Sequence, residues 1–186
     1  QHFMLVPPFT VLENIVLGKE THTAGVLRMD EPAAAIEEIM EKNGLVVALD
    51  TPVEDLPVGL QQRVEILKIL YRGAEILVFD EPTAVLTPQE VEELFKTFRM
   101  MTGQGRGIIF ISHKLDEVLE IADRITVIRR GQVIRTLDRA EATKPLIAEL
   151  MVGKPVLLKV DKPEGNPKES VLEVRNLRQT GDRGHR

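Results

Sequence analysis

The sequence of 186 residues lacks cysteine and tryptophan and carries a single tyrosine. Without cysteine the chain can form neither a disulfide nor a thiolate metal site, and its composition suits a reducing compartment. Long hydrophobic runs are missing too. Stretches such as residues 45–49 and 108–111 are far shorter than the roughly 20 residues that span a bilayer. Membrane association would therefore go through a partner, and no secretory signal is visible.

Basic charge is also scarce. The chain has 24 lysines and arginines against 29 aspartates and glutamates, for a net charge of −5. Proteins that bind nucleic acid present a basic face to it, so we expect no nucleic-acid partner. The remaining composition, 43% hydrophobic and 28% charged, is ordinary for a globular domain. The length suffices for one domain with a hydrophobic core.

Helical signals dominate residues 10–50. Thr10 and Glu13 have the Ser/Thr-x-x-Glu spacing of a capping box, and residues 33–41 have high helix propensity. Apolar side chains recur at helical spacing again over residues 60–71. We therefore expect a helical lobe over about residues 10–72.

The middle of the chain predicts an α/β core over about residues 73–153. Residues 76–79 and 108–111 are short all-apolar runs, which are typical of parallel strands buried on both faces. Between them, Thr87-Pro88-Gln89-Glu90 forms a capping box with proline at the first helical position. The order strand–helix–strand–helix favours a layered α/β domain with a parallel sheet. A hairpin signal follows at residues 129–132.

Two carboxylates follow the first of these apolar runs. Asp80 and Glu81 stand at the carboxyl end of the predicted strand, the sheet edge where open α/β folds bind ligands. In nucleotide hydrolysis one carboxylate orients the magnesium shell and a neighbouring one polarises the attacking water. The alternative is an acidic strand exit in which Pro82 starts a turn.

A histidine follows the second apolar run. His113 comes 33 residues after Asp80, and if the two strands are neighbours it reaches the same sheet edge as Glu81. There it could hydrogen-bond a terminal phosphate oxygen or orient the water. A lone histidine at a strand end is more often satisfied by backbone groups, but the pairing with the Asp-Glu strand favours the functional interpretation.

A third element lies upstream, where residues 56–63 open a helix just before the Asp-Glu strand. The free amides of a helix N-terminus attract anions. The alternative is a Pro-Gly turn that leads into an ordinary amphipathic helix, and this segment alone favours that alternative.

Together these motifs resemble the nucleotide-binding domain of ABC transporters, and the resemblance covers essentially the whole chain. Four motifs occur in the family's order, with Gln1 at the Q-loop, residues 56–63 at the LSGGQ signature, residues 76–80 at Walker B and residues 84–87 at the D-loop. Glu81 falls on the catalytic glutamate and His113 on the switch histidine. The resemblance implies a P-loop NTPase-like α/β fold, with a parallel sheet core and an α-helical lobe.

The resemblance also implies a mechanism. Two such domains close face to face on two ATP molecules, and their closure moves helices of transmembrane permease subunits. Asp80 would hold Mg²⁺ through water, Glu81 would act as general base, and His113 would contact the γ-phosphate. Gln1 would touch Mg²⁺ and the lytic water. A further group would act on the ATP of the opposite domain: the signature positions Pro57, Val58, Gly59, Leu60 and Gln61, with Thr87 of the D-loop.

A narrower resemblance concerns residues 58–68 and 83–88, which are similar to the subfamily that imports simple sugars and nucleosides. Its ATPase subunits carry two such domains in one polypeptide. This implies a partial ABC ATPase domain at 1–153, a proline-bearing linker at 154–169 and the start of a second domain at 170–186, with a first strand at 171–177. Partners would be the permease, the second ATPase domain and an extracytoplasmic substrate-binding protein, at the cytoplasmic face of the cell membrane.

Three departures from the family pattern modify these expectations. No Gly-x-x-x-x-Gly-Lys-Ser/Thr loop occurs in the sequence, so we expect this chain by itself neither to bind ATP tightly nor to hydrolyse it. Pro57 stands where the family consensus has serine, and proline has neither a hydroxyl nor an amide proton. Thr87 replaces the usual D-loop aspartate.

Two other functions stay open. A non-transport ABC ATPase that acts on ribosomes or DNA would carry a long charged helical linker or a long heptad insertion, and the sequence shows neither. A non-catalytic regulatory ABC domain is disfavoured by the intact Glu81 and His113 but favoured by Pro57. We expect an ATP-hydrolysing importer subunit, and because the sequence starts at Gln1 within a predicted fold, we expect a segment of a longer chain.

Overall fold

The computed structural model describes residues 4–23, 26–155, 169 and 172–178. The helices of this part of the chain are α1 (Val11–Val16), α2 (Asp30–Asn43), α3 (Val58–Tyr71), α4 (Pro88–Gly103), α5 (Leu115–Ile121) and α6 (Lys144–Val152), with a 3₁₀ turn at Val53–Asp55. The strands are β1 (Thr21–Thr23), β2 (Val26–Arg28), β3 (Ile76–Asp80), β4 (Gly107–Ile111), β5 (Arg124–Arg129) and β6 (Gln132–Asp138). None of the described helices has the length and apolar character needed to cross a membrane.

Both predicted capping boxes are present. The Thr10 hydroxyl accepts from the amide of Glu13, while the Glu13 carboxylate accepts from the amide of Thr10 at 2.7 Å. Thr87 and Glu90 form the same reciprocal pair at the start of α4, followed by proline in its first turn. Each box satisfies backbone amides that the helix itself leaves without a partner, so these short sequence patterns determine where α1 and α4 begin.

The helical lobe is built from α1, α2 and α3, in which α3 packs against both α1 and α2. Its largest buried side chains include Ile15, Ile36 and Leu67. The prediction of helices throughout residues 10–50 was wrong in the middle, because β1 and β2 form an antiparallel hairpin between α1 and α2. Local propensity does not reveal a hairpin this short, since its stability comes from pairing rather than from periodicity.

The predicted parallel sheet is present where β3 and β4 pair in register, with Leu77 opposite Ile108 and Phe79 opposite Phe110. Helix α4 connects the two strands and covers one face of the pair. On that face the rings of Phe79 and Phe98 lie 4.5 Å apart between centroids, and Phe95 meets Phe110 edge-on at 5.9 Å. Burial of these aromatic rings fixes α4 against the strands.

The prediction that β3 and β4 are buried on both faces was wrong. Ile76 and Val78 are 67% and 59% exposed, and Ile109 and Ile111 share their exposed face. A single crossover helix covers only one face of a strand pair. In the described part of the chain β4 pairs with β3 and with no other strand. A groove of about 1200 Å³ is lined by residues of both β4 and β5.

The hairpin predicted around residues 129–132 is confirmed: β5 and β6 pair antiparallel. Its turn residues Arg130 and Gly131 both have positive φ, at 52° and 75°, as tight hairpin turns require. Helices α5 and α6 pack on this hairpin and enclose a second core that contains Ile125, Val127, Leu137 and Ile147. Helix α6, capped by Thr143, was not predicted.

The strand predicted at 171–177 is not formed in its described part, because residues 172–178 are irregular and exposed. A strand requires a hydrogen-bonding neighbour, and the described residues provide none there. Gln1, most of the predicted linker and the remainder of 170–186 lie outside the described residues.

The aromatic contacts on α4 generate a stability prediction. Phe98→Ala should lower the free energy of unfolding by about 3–5 kcal/mol, because the Phe98 side chain is fully buried and its removal leaves a cavity among the rings packed against it. Denaturant unfolding followed by circular dichroism measures this. Phe9→Ala is the matched control, since Phe9 is partly exposed, and it should cost less than half as much. Equal losses for the two variants would contradict the role given to the aromatic core.

Candidate active site

The carboxyl edge of the β3–β4 pair carries the two predicted carboxylates. Asp80 is the last residue of β3 and is exposed, and it lies opposite Ile111 of β4. Glu81 continues the ladder for one further bond, since its amide donates to the carbonyl of Ile111 at 2.9 Å. The parallel register therefore delivers Glu81 next to the residues that follow β4.

The backbone of Glu81 turns sharply. Its φ is +47°, in the left-handed region that a residue with a side chain seldom occupies. The carbonyl of Glu81 accepts from the amide of Ala84 at 3.2 Å, which closes the turn that leaves the strand. Strained backbone of this kind costs of order 1–3 kcal/mol and is concentrated at functional sites.

Glu81 and His113 are in direct contact. Glu81 Oε1 accepts from the backbone amide of His113 at 3.1 Å and lies 2.7 Å from His113 Nδ1. The Glu81 side chain is only 17% exposed, whereas that of His113 is 72% exposed. With Nδ1 directed to the carboxylate, the other ring nitrogen of His113 is available to a ligand.

The second carboxylate oxygen of Glu81 has a different environment. Oε2 is buried and has no hydrogen-bond partner within the described part of the chain. An unpaired buried acceptor is costly, so this oxygen is suited to a water or ligand hydroxyl that completes the site. Such a group would be held by Oε2 while Oε1 stays fixed by His113.

Mg²⁺ fits the carboxylate beside this site only in part. Asp80 offers one exposed carboxylate, the hard oxygen ligand that Mg²⁺ prefers, and Mg²⁺ commonly takes one or two carboxylates with phosphate and water. Among the described residues no group of three acidic or histidine side chains could hold a metal alone. The ion would therefore depend on nucleotide phosphates for much of its shell.

The predicted signature residues lie at the start of α3. Pro57 is the N-cap and makes no side-chain capping bond to the described residues. Val58, Gly59 and Leu60 form the first turn, and the side-chain amide of Gln61 turns back to donate to the carbonyl of Leu56 at 2.9 Å.

Gly59 makes a close approach to helix α4. A Cβ atom added at Gly59 would lie 2.3 Å from Glu90 Oε1. The amide and then the hydroxyl of Thr87 hydrogen-bond to the Glu90 carboxylate and hold the pKa of Glu90 below its usual value. The start of α3 and the cap of α4 therefore touch through Glu90.

The predicted site residues thus fall into two groups. Asp80, Glu81 and His113 meet at the sheet edge, and the residues 57–61 meet Thr87 through Glu90. Gln1 lies outside the described residues, so its predicted role stays a prediction. Sequence reasoning missed Glu90 as the connecting residue, although the capping box that fixes its side chain was visible.

A partly buried polar cluster beside Glu81 and His113 was also missed. The Thr83 hydroxyl donates to Glu117 Oε2 at 2.5 Å, and the Lys114 ammonium donates to the Thr83 carbonyl at 2.9 Å. Lys114 and Glu117 have the i,i+3 spacing of a helical ion pair, which the sequence alone could have indicated. The contact between Thr83 and Glu117 joins residues that are 34 positions apart, so no local sequence pattern predicts it.

Comparison with known proteins agrees with this geometry. Residues 1–84 match the sequence family described as ABC transporter. CbiO1 of Clostridium perfringens, described as part of the ABC transporter complex cbiONQ, superposes with a TM-score of 0.63 at 28% identity, over 80% of this chain and 57% of that one. Residues 1–84 therefore belong to the ABC transporter family, and the chain has the P-loop NTPase-like α/β fold of ATP-binding cassettes, with a parallel sheet and a helical lobe.

Two curated relatives match almost the whole chain. The nucleoside import ATP-binding protein NupA of Lactococcus lactis subsp. cremoris is 50% identical over 99% of this chain and 36% of its own length. The guanosine import ATP-binding protein NupO of Bacillus subtilis is 46% identical over the same shares. The chain thus spans about a third of the length of these relatives.

The approach of Gly59 to Glu90 gives a second prediction. Gly59→Ala should lower the free energy of unfolding by about 1–3 kcal/mol, because the new methyl group displaces a carboxylate that the Thr87 cap holds in place. In a Glu90→Ala background the same change should be neutral or stabilising, since alanine favours a helix over glycine by about 1 kcal/mol. Urea unfolding of the unsubstituted chain, the two single variants and the double variant gives the coupling free energy between positions 59 and 90.

Gly103→Ala is the control for this cycle. Gly103 is also helical, and apart from its chain neighbours and its own helix backbone no heavy atom of the described residues lies within 4 Å of a Cβ built there, so its replacement should cost nothing in either background. A Gly59→Ala loss that persists undiminished without Glu90 would refute the proposed contact.

Proposed function

We propose that the chain forms part of the ATP-binding subunit of an ABC importer, which couples ATP hydrolysis to the uptake of nucleosides or simple sugars. The observation that carries the proposal is Glu81 at the end of a parallel strand, with one oxygen bonded to His113 and the other buried and without a hydrogen-bond partner among the described residues. The relatives described as nucleoside and guanosine import ATP-binding proteins supply the substrate class.

In the proposed reaction Glu81 is the general base. Its Oε2 accepts a hydrogen bond from the attacking water and takes its proton as the water oxygen bonds to the γ-phosphorus, while the bond from that phosphorus to the bridging oxygen breaks and ADP leaves. His113 holds Glu81 Oε1 through Nδ1 and its amide, and its other ring nitrogen contacts a γ-phosphate oxygen. Mg²⁺, when bound, supplies neutralisation of the phosphate charge, and Asp80 would hold it through water, with Gln1 as a further contact.

The second group of residues acts on the ATP of the opposing domain. There Pro57, Val58, Gly59, Leu60 and Gln61 present the start of α3, and Thr87 stands at the D-loop. Pro57 offers neither the hydroxyl nor the amide proton that serine would donate to the γ-phosphate. A lost hydrogen bond to a charged group costs about 1.5–3 kcal/mol, which is roughly one to two decades in affinity or rate, so we propose that this composite site is the weaker one.

The wider assembly is also part of the proposal. Residues 1–153 form a partial ATPase domain, residues 154–169 a linker and residues 170–186 the start of a second ATPase domain. Transmembrane permease subunits at the cytoplasmic face of the membrane are the partners, with an extracytoplasmic substrate-binding protein delivering the substrate. The protein CbiO1, described as part of an ABC transporter complex, supports a permease partner.

The experiment that tests this function is Glu81→Gln in the intact subunit, expressed with its permease. The amide keeps the size of the side chain but cannot accept the proton, so hydrolysis should fall by roughly 10²- to 10⁴-fold. The variant should still co-purify with the permease and retain bound ATP. Glu92→Gln, an exposed position on α4, is the control and should hydrolyse ATP normally. Normal hydrolysis by Glu81→Gln would rule out the general base.

A separate prediction concerns this chain of 186 residues by itself. Since the sequence contains no phosphate-binding loop, the amides, lysine and hydroxyl that would cradle the phosphates are absent from it. Isothermal calorimetry with ATP and magnesium should detect no binding in the micromolar range. A micromolar dissociation constant would overturn the prediction and indicate that the Asp80–Glu81 edge binds nucleotide without such a loop.

A further inference from the structure

We propose that Thr83, Lys114 and Glu117 form a positioning cluster that sets the geometry between Glu81 and His113. None of the three touches a reacting group, and each acts through its neighbours. The catalytic consequence rests on the proposed ATPase function, while the geometric consequence does not. We refer to these three residues as the Thr83 cluster.

The cluster connects the two loops that carry the candidate catalytic residues. Thr83 lies two residues after Glu81, and Lys114 immediately follows His113. Lys114 Nζ donates to the Thr83 carbonyl at 2.9 Å and to its hydroxyl at 3.3 Å. The side chain of Lys114, in the loop after β4, therefore holds the backbone of Thr83, in the loop after β3.

Each of the three side chains in the Thr83 cluster contacts the other two. The Thr83 hydroxyl donates to Glu117 Oε2 at 2.5 Å, and the Lys114 ammonium forms an ion pair with Glu117 Oε1 at 3.1 Å. An ammonium group has three donors; two of them bond to the Thr83 carbonyl and hydroxyl, and the ion pair with Glu117 adds a third contact. Each member of the cluster is therefore held by the other two, which restricts the arrangement of this partly buried cluster.

Burial identifies the Thr83 hydroxyl as the centre of the cluster. Thr83 is 0% exposed, and its hydroxyl both donates to Glu117 and accepts from Lys114. Replacement by valine keeps the shape of the side chain but leaves both partners without this contact. The loop that begins at Glu81 would then be free to shift relative to His113, whose own bonds to Glu81 are 2.7 and 3.1 Å long.

The catalytic test compares Thr83→Val with Thr83→Ser in the intact subunit assembled with its permease. A small displacement of reacting groups can lower turnover by up to about 10²-fold. Thr83→Val should therefore lower kcat by about 10- to 100-fold while KM for ATP changes by less than about twofold. Thr83→Ser restores the hydroxyl and should recover kcat.

Thr97→Val is the matched control. Thr97 is likewise a buried threonine, but its hydroxyl donates to the carbonyl of Glu93 within its own helix. This variant reports what removal of a buried hydroxyl does to stability alone, and kcat should be unchanged. Lys144→Met removes an exposed ion pair to Asp116 on the same helix as Glu117, and it should also leave kcat unchanged.

Amide hydrogen exchange on the 186-residue chain tests the geometry without ATP. The His113 amide donates to Glu81 Oε1, so it should exchange about tenfold faster in Thr83→Val than in the unsubstituted chain. Exchange of this amide should be unchanged in Thr83→Ser and Thr97→Val. The Glu81 amide, bonded to Ile111 in the ladder, should stay protected in all of them.

The two readouts separate the inference from the proposed function. If the unsubstituted assembly does not hydrolyse ATP, the proposed function fails and hydrogen exchange alone decides the positioning role. If it hydrolyses ATP and Thr83→Val leaves both kcat and His113 exchange unchanged, the positioning cluster is refuted. A loss of kcat that Thr83→Ser does not recover, or that Thr97→Val shares, also refutes it.

Discussion

The parallel pairing of β3 with β4 is the constraint on which the candidate site depends. Its register places Asp80 opposite Ile111, so Glu81 and His113 leave neighbouring strands at the same edge. The bond from the Glu81 amide to the Ile111 carbonyl carries the ladder one residue into the turn. The aromatic rings beneath α4 hold this register, since a slip by one residue would exchange the buried and exposed faces of β3.

Features governed by neighbouring residues could be predicted from the sequence. The boxes at Thr10 and Thr87 are examples, because cap and backbone lie within four residues of one another. The Asp-Glu strand end and His113 could also be predicted, since parallel strands bring their carboxyl ends together. Their contact followed from topology. The burial of Glu81 Oε2 without a hydrogen-bond partner in the described part of the chain could not be predicted, because it depends on three-dimensional enclosure.

Features governed by distant residues could not be predicted. Whether Ile76 and Val78 are buried depends on what covers the second face of the sheet, and an all-apolar run is compatible with one or two covered faces. The contact between Thr83 and Glu117 depends on how the turn after β3 meets α5. The β1–β2 hairpin was missed because its local signal is too weak. Strands of three residues carry too few side chains to show a period.

Two of the three departures from the family pattern, Thr87 and Pro57, have different local costs. Thr87 caps α4 through its hydroxyl, and threonine and aspartate are both favourable N-caps, so this replacement preserves the helix and removes only a carboxylate. Pro57 caps α3 without a side-chain bond to the described residues, so it loses both a local cap and a donor. In the proposed function the residues that act within their own domain, Glu81 and His113, keep their geometry. The substituted positions are those that would face the opposing domain, which places any functional asymmetry at the interface between domains rather than in this domain's own catalytic edge.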